Sequence, residues 1–216
     1  RAAVAETSPQ VVDTSNGFDP LALLPAVRGA TQDDMPGYLS LVPTQLSQCL
    51  DAGDEVVAAL RALSAILVGG AATNQQLLTR ALDAGLRVRT TYGMTETAGG
   101  CVYDDLPLPG TSVRAVDWDG RTRLAINGPT LMTRYLDAES PFFDEGGHRW
   151  LLTGDMGIIR ASGTVEVRGR ADDVIISGGL SVAPGPVRRA VRSYDGISDA
   201  WIMATPDAKW GHVVTA

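Results

Sequence analysis

Residues Tyr92-Gly93-Met94-Thr95-Glu96-Thr97 set an aromatic ring, a turn glycine, two hydroxyls and a carboxylate side by side. Each group suits one part of a nucleotide. An aromatic face packs on a purine, and a hydroxyl bonds a phosphate oxygen. A carboxylate holds Mg²⁺, a hard cation that prefers oxygen ligands. Thr153-Gly154-Asp155 follows the apolar run Trp150-Leu151-Leu152. A carboxylate just past such a strand can accept both hydroxyls of a ribose. Gly169-Arg170-Ala171-Asp172-Asp173 offers a guanidinium whose paired N–H donors reach a ribose or a phosphate. Ser177-Gly178-Gly179 lets a ligand approach the backbone, since neither glycine carries a Cβ. Read alone, these three segments also fit a polar hairpin turn, an exposed turn between elements and a plain strand-to-loop break.

Other reactive residue types carry less. His148 and His212 lie in polar, glycine-containing stretches without a cysteine or carboxylate at ligand spacing, and read as surface histidines. Cys101 follows Gly99-Gly100 and has no basic neighbour in sequence to lower its pKa, so it reads as packing or pocket lining. Arg188, Arg189 and Arg192 cluster on one predicted helix and read as a solvated face, or as a phosphate contact if that face borders a site. The tryptophans 118, 150, 201 and 210 are scattered and read as packing residues. No Gly-x-x-x-x-Gly-Lys-Ser/Thr loop occurs, so a P-loop NTPase is not supported. No Gly-x-Ser-x-Gly elbow occurs either, which removes the usual α/β serine hydrolase.

The elements that must position these groups alternate up to about residue 100. Tyr38 to Val42 reads as a strand ended by Pro43, with Thr44 capping a helix that carries Leu46 and Leu50. Ala65-Ile66-Leu67-Val68 reads as a buried strand ended by Gly69-Gly70. Thr73 or Asn74 then caps a helix through Ala84, with Leu77, Leu78, Ala81 and Leu82 on one face and Gly85 as its stop. Arg87 to Thr91 is the next strand. Strand, helix, strand in this order predicts a βαβ unit in a parallel sheet. Pro43-Thr44, Gly69-Gly70 and Tyr92-Gly93 then follow the carboxyl ends of three parallel strands, the edge where open α/β sheets bind ligands.

From about Gly110 the pattern predicts antiparallel hairpins. Val113–Val116 and Arg123–Ile126 flank Asp117-Trp118-Asp119-Gly120, and Gly157–Ile159 and Val165–Val167 flank Ala161-Ser162-Gly163. After Arg170 come a strand at Val174–Ile176, a glycine pair, a Pro-initiated helix near Pro186–Ser193, and strands around Ala200–Ala204 and Val213–Thr215. The fold class predicted is α/β: a parallel-sheet portion, a small antiparallel β subdomain, and the start of an α+β C-terminal domain. The domains expected are 1–171 and 172–216.

Composition sets the outer limits. The chain has 216 residues, 44% of them apolar, and a formal charge of −7. The acidic balance argues against general binding to nucleic acid or to a membrane surface. Two cysteines, Cys49 and Cys101, give neither a metal spacing nor a disulfide framework, which suits a reduced, cytoplasmic setting. No apolar run reaches the ~18 residues of a membrane span. The chain opens on Arg1 and closes within a strand-like run, which leads us to expect an internal fragment.

Taken together, the segments resemble the adenylate-forming acyl-CoA synthetase superfamily. The resemblance rests on Val42-Pro43-Thr44, Gly69-Gly70-Ala71, Tyr92-Gly93-Met94-Thr95-Glu96, Trp150 with Thr153-Gly154-Asp155, and Gly169-Arg170-Ala171-Asp172-Asp173 with Ser177-Gly178-Gly179, in this order. Within it, residues 38–46 and 97–104 look most like o-succinylbenzoate–CoA ligases of menaquinone biosynthesis. The resemblance implies ATP-dependent activation of a carboxylic acid to an acyl-adenylate, then thioester formation with CoA. It implies that Gly69, Gly70 and Ala71 line the adenine pocket, with Tyr92 against the base and Gly93 and Met94 among the nucleotide-binding residues. Thr95 would contact the α-phosphate, Glu96 would hold Mg²⁺, and Asp155 and Arg170 would bind the ribose. Asp172 would be the hinge of a rotating C-terminal domain, Gly178 and Gly179 would border the pantetheine channel, and Gly99 and Gly100 would lie near the acyl group.

The pattern also departs from the family. The family's Lys-bearing phosphate loop is not found in residues 1–91, and its distal catalytic Lys would lie beyond Ala216, so the chain alone is expected to be inactive. Arg188 stands where many relatives carry Glu. An adenylating domain that loads a carrier protein and a non-catalytic AMP-binding module remain alternatives, and a homodimer stays open.

Overall fold

The computed structural model describes residues 9–15, 17–31, 36–197 and 199–216. Residues 1–8 of the expected domain 1–171 lie outside the described residues. Two compact units divide between Met94 and Thr95.

The first unit is a parallel sheet covered by helices. Its elements are α1 (Leu24–Ala30), β1 (Tyr38–Leu41), α2 (Pro43–Asp51), α3 (Asp54–Arg61), β2 (Ala65–Val68), α4 (Gln75–Asp83) and β3 (Val88–Met94). β2 lies between β1 and β3 and runs parallel to both, with Leu41 opposite Val68 and Val68 opposite Thr90. The core gathers Leu24, Val27, Leu46, Cys49, Val56, Leu60, Leu63, Ile66 and Val68. Pro43, not Thr44, opens α2: proline suits the first helical position because its missing N–H would lack a partner there anyway. The Gln45 side chain accepts from the Val42 N–H at 3.0 Å and satisfies one end group. Asn74 caps α4 by accepting from the Gln76 N–H at 3.0 Å, and Gly85 ends it in the left-handed region, φ +76°. Leu82 is exposed, while Ala81 is fully buried, so the apolar face of α4 is narrower than its leucines suggest.

The second unit is mainly antiparallel. It holds β4 (Gly99–Tyr103), β5 (Leu106–Pro107), β6 (Ser112–Trp118), β7 (Arg121–Asn127), β8 (Phe142–Glu145), β9 (His148–Ile159) and β10 (Val165–Arg170). β11 (Ile175–Ser177), β12 (Leu180–Val182), α5 (Pro184–Arg192), β13 (Met203–Asp207) and β14 (Gly211–Thr215) follow. Strands order as β10-β9-β7-β6, with β8 also on β9. Asp119 and Gly120 both take positive φ, +52° and +70°, and turn β6 tightly into β7. β11 pairs with β12 and β13 with β14.

Trp150 is buried, but Trp118, Trp201 and Trp210 are exposed, so three of the four tryptophans do not serve an interior. Two of the three arginines on α5 share one carboxylate: Arg188 donates to both oxygens of Asp199 at 2.9 and 2.6 Å, and Arg192 lies 3.5 Å from the same group. Among the described residues no helix is long and apolar enough to cross a membrane.

Candidate functional site

In the first unit, the carboxyl ends of the parallel strands meet at Gly69. Its N–H donates to the Leu41 carbonyl at 3.2 Å, where β1 ends. On the other side a Cβ at Gly69 would overlap the Thr91 hydroxyl and lie 2.8 Å from the Thr91 carbonyl oxygen. The missing side chain of Gly69 is therefore replaced by Thr91 of β3, not by open space. Gly70 turns outward with Val42 at ordinary contact distance, and Ala71 is exposed. Tyr92, Gly93 and Met94 still belong to β3 and are half-buried, one strand end later than the sequence pattern places them.

In the second unit, Thr95–Thr97 form a single 3₁₀ turn. Thr95 is exposed, Glu96 is half-buried and Thr97 is fully buried, with its hydroxyl donating to the Gly99 carbonyl at 2.7 Å. Ala98 sits at φ +54°, a conformation that non-glycine residues rarely take. Gly99 has open space beside it, whereas Gly100 faces the Tyr103 ring. The Glu96 carboxylate accepts a hydrogen bond from the Tyr135 hydroxyl, and the Glu96 carbonyl accepts from the Met132 N–H at 2.8 Å. That bond to a carboxylate raises the Tyr135 phenol pKa above its usual value.

Asp155 lies inside a strand, not beyond one. β9 continues to Ile159, and its pairing with β7 slips at this point: Ala125 faces Leu152, but Arg123 faces Met156. Thr153, Gly154 and Asp155 are thus crowded opposite Leu124 in a bulge, which bends a strand and re-aims its side chains. The bulge is well supplied with partners. The Thr153 hydroxyl donates to the Leu124 carbonyl at 2.8 Å and accepts from the Asp155 N–H at 3.1 Å. The carbonyl of Thr153 accepts from Arg123 Nε at 2.9 Å, and that of Gly154 accepts from the Ala171 N–H at 2.7 Å. Arg121 reaches the Ala171 carbonyl at 3.0 Å.

Arg170 is the direct cross-strand partner of Asp155. Its Nη1 is 3.7 Å from Asp155 Oδ1, and its Nη2 donates to Asp172 Oδ2 at 3.0 Å. The guanidinium lies across Gly154, where any Cβ would approach Nη2 to 2.6 Å. The bulge therefore brings a 9% exposed carboxylate, a half-exposed guanidinium and the exposed Asp172 into one cluster. A buried carboxylate beside a fork of N–H donors accepts hydroxyl hydrogens and offers donors to their oxygens, as a vicinal diol requires. Further along, Gly178 is covered by Trp210, whose Cζ3 would lie 2.7 Å from a Cβ there, and the Gly178 N–H donates to the Trp210 carbonyl at 2.9 Å. Gly179 keeps open space.

Among the described residues no group of three or more His, Cys, Asp or Glu forms a metal cage. Mg²⁺ commonly takes only one or two carboxylates, completing its shell with water and substrate phosphates. Glu96 fits that mode, since the bond from Tyr135 leaves its second oxygen for a cation. Both cysteines are buried, and burial raises the Cys49 thiol to about 11 and the Cys101 thiol above its usual value, so neither is a nucleophile at neutral pH. Tyr135, Arg121, Arg123 and Trp210 join these clusters without having a motif of their own. A lone glycine, Gly154, inside strand β9 is the sequence sign of the bulge.

Residues 15–136 match the family model described as AMP-binding enzyme. The chain is 37% identical over 219 residues to the probable 2-succinylbenzoate–CoA ligase of Mycobacterium tuberculosis (strain H37Rv), a match covering 100% of this chain and 55% of the relative. It is 31% identical over 221 residues to the 2-succinylbenzoate–CoA ligase of Lactococcus lactis, covering 96% and 45%. Its fold superposes on the o-succinylbenzoate CoA synthetase from Bacillus subtilis, solved in complex with the acyl-adenylate intermediate, with a TM-score of 0.74 and 26% identity over 92% of this chain and 43% of that one. The chain spans about half the length of the curated relatives it matches. The match over residues 15–136 is more than half of the sequence, and the chain belongs to the AMP-binding enzyme family.

Proposed function

We propose that this chain supplies much of the nucleotide-handling surface of an AMP-forming acid–CoA ligase, with o-succinylbenzoate as the acid. The observation that carries the reading is the likeness, over the whole chain, to a relative named as a probable 2-succinylbenzoate–CoA ligase. In the first half-reaction a carboxylate oxygen of the acid attacks the α-phosphorus of ATP and the bond to pyrophosphate breaks. In the second, the CoA thiol attacks the acyl carbon and AMP leaves.

The residues would divide this work as follows. On the first unit, Gly69, Gly70 and Ala71 line the adenine, Tyr92 lies against the base, and Gly93 and Met94 complete the nucleotide-binding segment. On the second, the exposed Thr95 hydroxyl donates to an α-phosphate oxygen as charge builds there. Asp155 accepts from the ribose hydroxyls while Arg170 donates to their oxygens. Glu96 holds Mg²⁺, which when bound spreads phosphate charge. Gly99 and Gly100 border the acyl group, and Gly178 and Gly179 border the pantetheine arm. Asp172 is the hinge between 1–171 and 172–216; its bond to Arg170 would part or re-form as that hinge turns. Residues 1–216 hold no Gly/Ser/Thr-rich loop with a lysine, so turnover requires groups this sequence does not supply. The proposed setting is the cytoplasm, with a homodimer as the candidate assembly.

The test has two arms. Calorimetry with AMP asks whether the 216-residue chain binds nucleotide. Incubation of the full reading frame with ATP, Mg²⁺, CoA and o-succinylbenzoate asks for pyrophosphate and a CoA thioester. Equal or better turnover of succinate, benzoate or fatty acids would overturn the choice of acid. Transfer to a carrier protein in place of CoA would identify an adenylating domain, and AMP binding without any acid-dependent turnover would identify a regulatory module.

A further inference from the structure

We propose that Tyr135 is a positioning residue for Glu96, held in place by a loop that Arg149 staples to β9. The inference rests on the reading of Glu96 as the metal-facing carboxylate and adds what fixes that carboxylate in space. Glu96 lies on one short 3₁₀ turn, and a glutamate side chain has three rotatable bonds of its own. Its orientation must come from outside the turn. Three contacts supply it, all from the segment 132–140. The Met132 N–H donates to the Glu96 carbonyl at 2.8 Å and sets the backbone. The Tyr135 hydroxyl donates to Glu96 Oε1 and sets the carboxylate. The Tyr135 N–H donates to Ser140 Oγ at 3.2 Å and holds the tyrosine's own backbone.

The segment is anchored in turn. Arg149, on β9, donates from Nη1 to the Met132 carbonyl at 3.2 Å and from Nη2 to the Thr133 carbonyl at 2.5 Å. Its guanidinium stacks 3.4 Å from the centre of the Phe142 ring, which fixes the fork from the other side. The order of support runs from strand to arginine, to loop, to phenol, to carboxylate. A phenol that donates to one carboxylate oxygen leaves the second oxygen for a cation. It also removes rotamer freedom that binding would otherwise have to remove. Partners of this kind, one shell out from a metal ligand, change metal affinity about 10–100-fold when lost.

The experiment is calorimetry on the full chain with three ligands: AMP with EDTA, ATP with EDTA, and ATP with Mg²⁺. The variants are Tyr135→Phe, Glu96→Gln and the double substitution. Wild type is expected to gain affinity for ATP when Mg²⁺ is present, and Glu96→Gln is expected to lose that gain. Tyr135→Phe should keep its affinity for AMP and lose about tenfold of the Mg²⁺-dependent gain. In the Glu96→Gln background it should change nothing. Arg149→Gln, which frees the loop without touching Glu96 or the phenol, should give a smaller loss of the same selective kind and covers the case where Tyr135→Phe folds poorly.

A Tyr135→Phe variant with the full Mg²⁺-dependent gain would overturn the proposal. So would equal loss of AMP and Mg²⁺–ATP affinity, which marks a merely structural tyrosine. If wild type shows no Mg²⁺-dependent gain, or Glu96→Gln retains it, the reading of Glu96 itself fails and this proposal falls with it. Loss of the gain in Glu96→Gln but not in Tyr135→Phe sinks the role of Tyr135 alone.

Discussion

Gly154 is the place where one methyl group tests the Asp155–Arg170 pairing. An alanine Cβ there would lie 2.6 Å from Arg170 Nη2 and 3.0 Å from its Cζ. Gly154 does not sit in the left-handed region, so alanine fits its backbone. The obstructing atoms end a flexible side chain that is 55% exposed, so the guanidinium moves and the strand stays. The pair it abandons with the exposed Asp172, at 3.0 Å, is worth ~0.2–1 kcal/mol, and the contact with the buried Asp155, at 3.7 Å, is longer than a hydrogen bond. Gly154→Ala should therefore lower Tm by a few degrees, no more than about 8 °C. Its effect on ligand should be larger. A hydrogen bond from a charged donor is worth about 1.5–3 kcal/mol, so displacing Arg170 from a ribose should weaken AMP at least about tenfold. Gly157→Ala on the same strand is the control. Its Cβ would meet the Glu166 carbonyl oxygen at 2.5 Å and the Leu124 methyls at 2.9 and 3.0 Å. Backbone cannot step aside, so the cost, about 1–3 kcal/mol, falls on stability and not on the pairing. Calorimetric titration of AMP and thermal melting of both variants separate the two effects. Wild-type AMP affinity in Gly154→Ala would refute the reasoning, as would equal weakening in Gly157→Ala measured where both remain folded.

Asp155→Ala should weaken AMP far more than Asp119→Asn, since Asp119 occupies an exposed hairpin turn; matching affinities by calorimetry would contradict the ribose assignment. Cys49 and Cys101 should resist Ellman's reagent in the native chain and react once it is unfolded, because burial raises both thiols and the thiolate is the reactive form; rapid native reaction of either would show that its burial is wrong. The Arg188 bonds hold the Asp199 carboxyl at about 2, below the unfolded value of ~3.9. This stabilisation is therefore present above about pH 4 and is lost as pH falls through about 2. Asp199→Asn should flatten the fall of Tm across that window, by less than about 1 kcal/mol for so exposed a pair; an unaltered slope counts against the pairing.

The parallel sheet was legible because its signals are local. Buried strands such as Ala65–Val68 are short apolar runs closed by glycine, and α4 carries both its cap and its stop in sequence. The two hairpins at 112–127 and 148–170 were legible from their turns. α3 was not read, although Val56, Val57 and Leu60 make its buried face and Asp54, Glu55 and Arg61 complement its dipole. The contacts around Glu96 and Asp155 were less legible still. Tyr135 stands 39 residues from Glu96, and no spacing rule joins a loop tyrosine to a distant 3₁₀ turn. The slip between β7 and β9 is likewise a property of two strands, so a single strand's alternation cannot show it.

That slip explains why an acidic chain spends arginines where it does. Arg121 and Arg123 are two apart on β7 and so lie on one face of the strand. Both donate to main-chain carbonyls at or beside the bulge, those of Ala171 and Thr153. Without those donors the bulge would leave partly buried acceptors unmet, at a cost of about 1–3 kcal/mol each. The third arginine, Arg170, is different in kind. It ends β10 with its fork across Gly154, between Asp155 and Asp172, and more than half of its side chain is exposed. Two arginines satisfy the carbonyls of the bulge, and the third lies beside the carboxylate. The residue types of Thr153-Gly154-Asp155 follow from this arrangement. Threonine bridges the two strands, glycine gives the guanidinium room, and aspartate meets it.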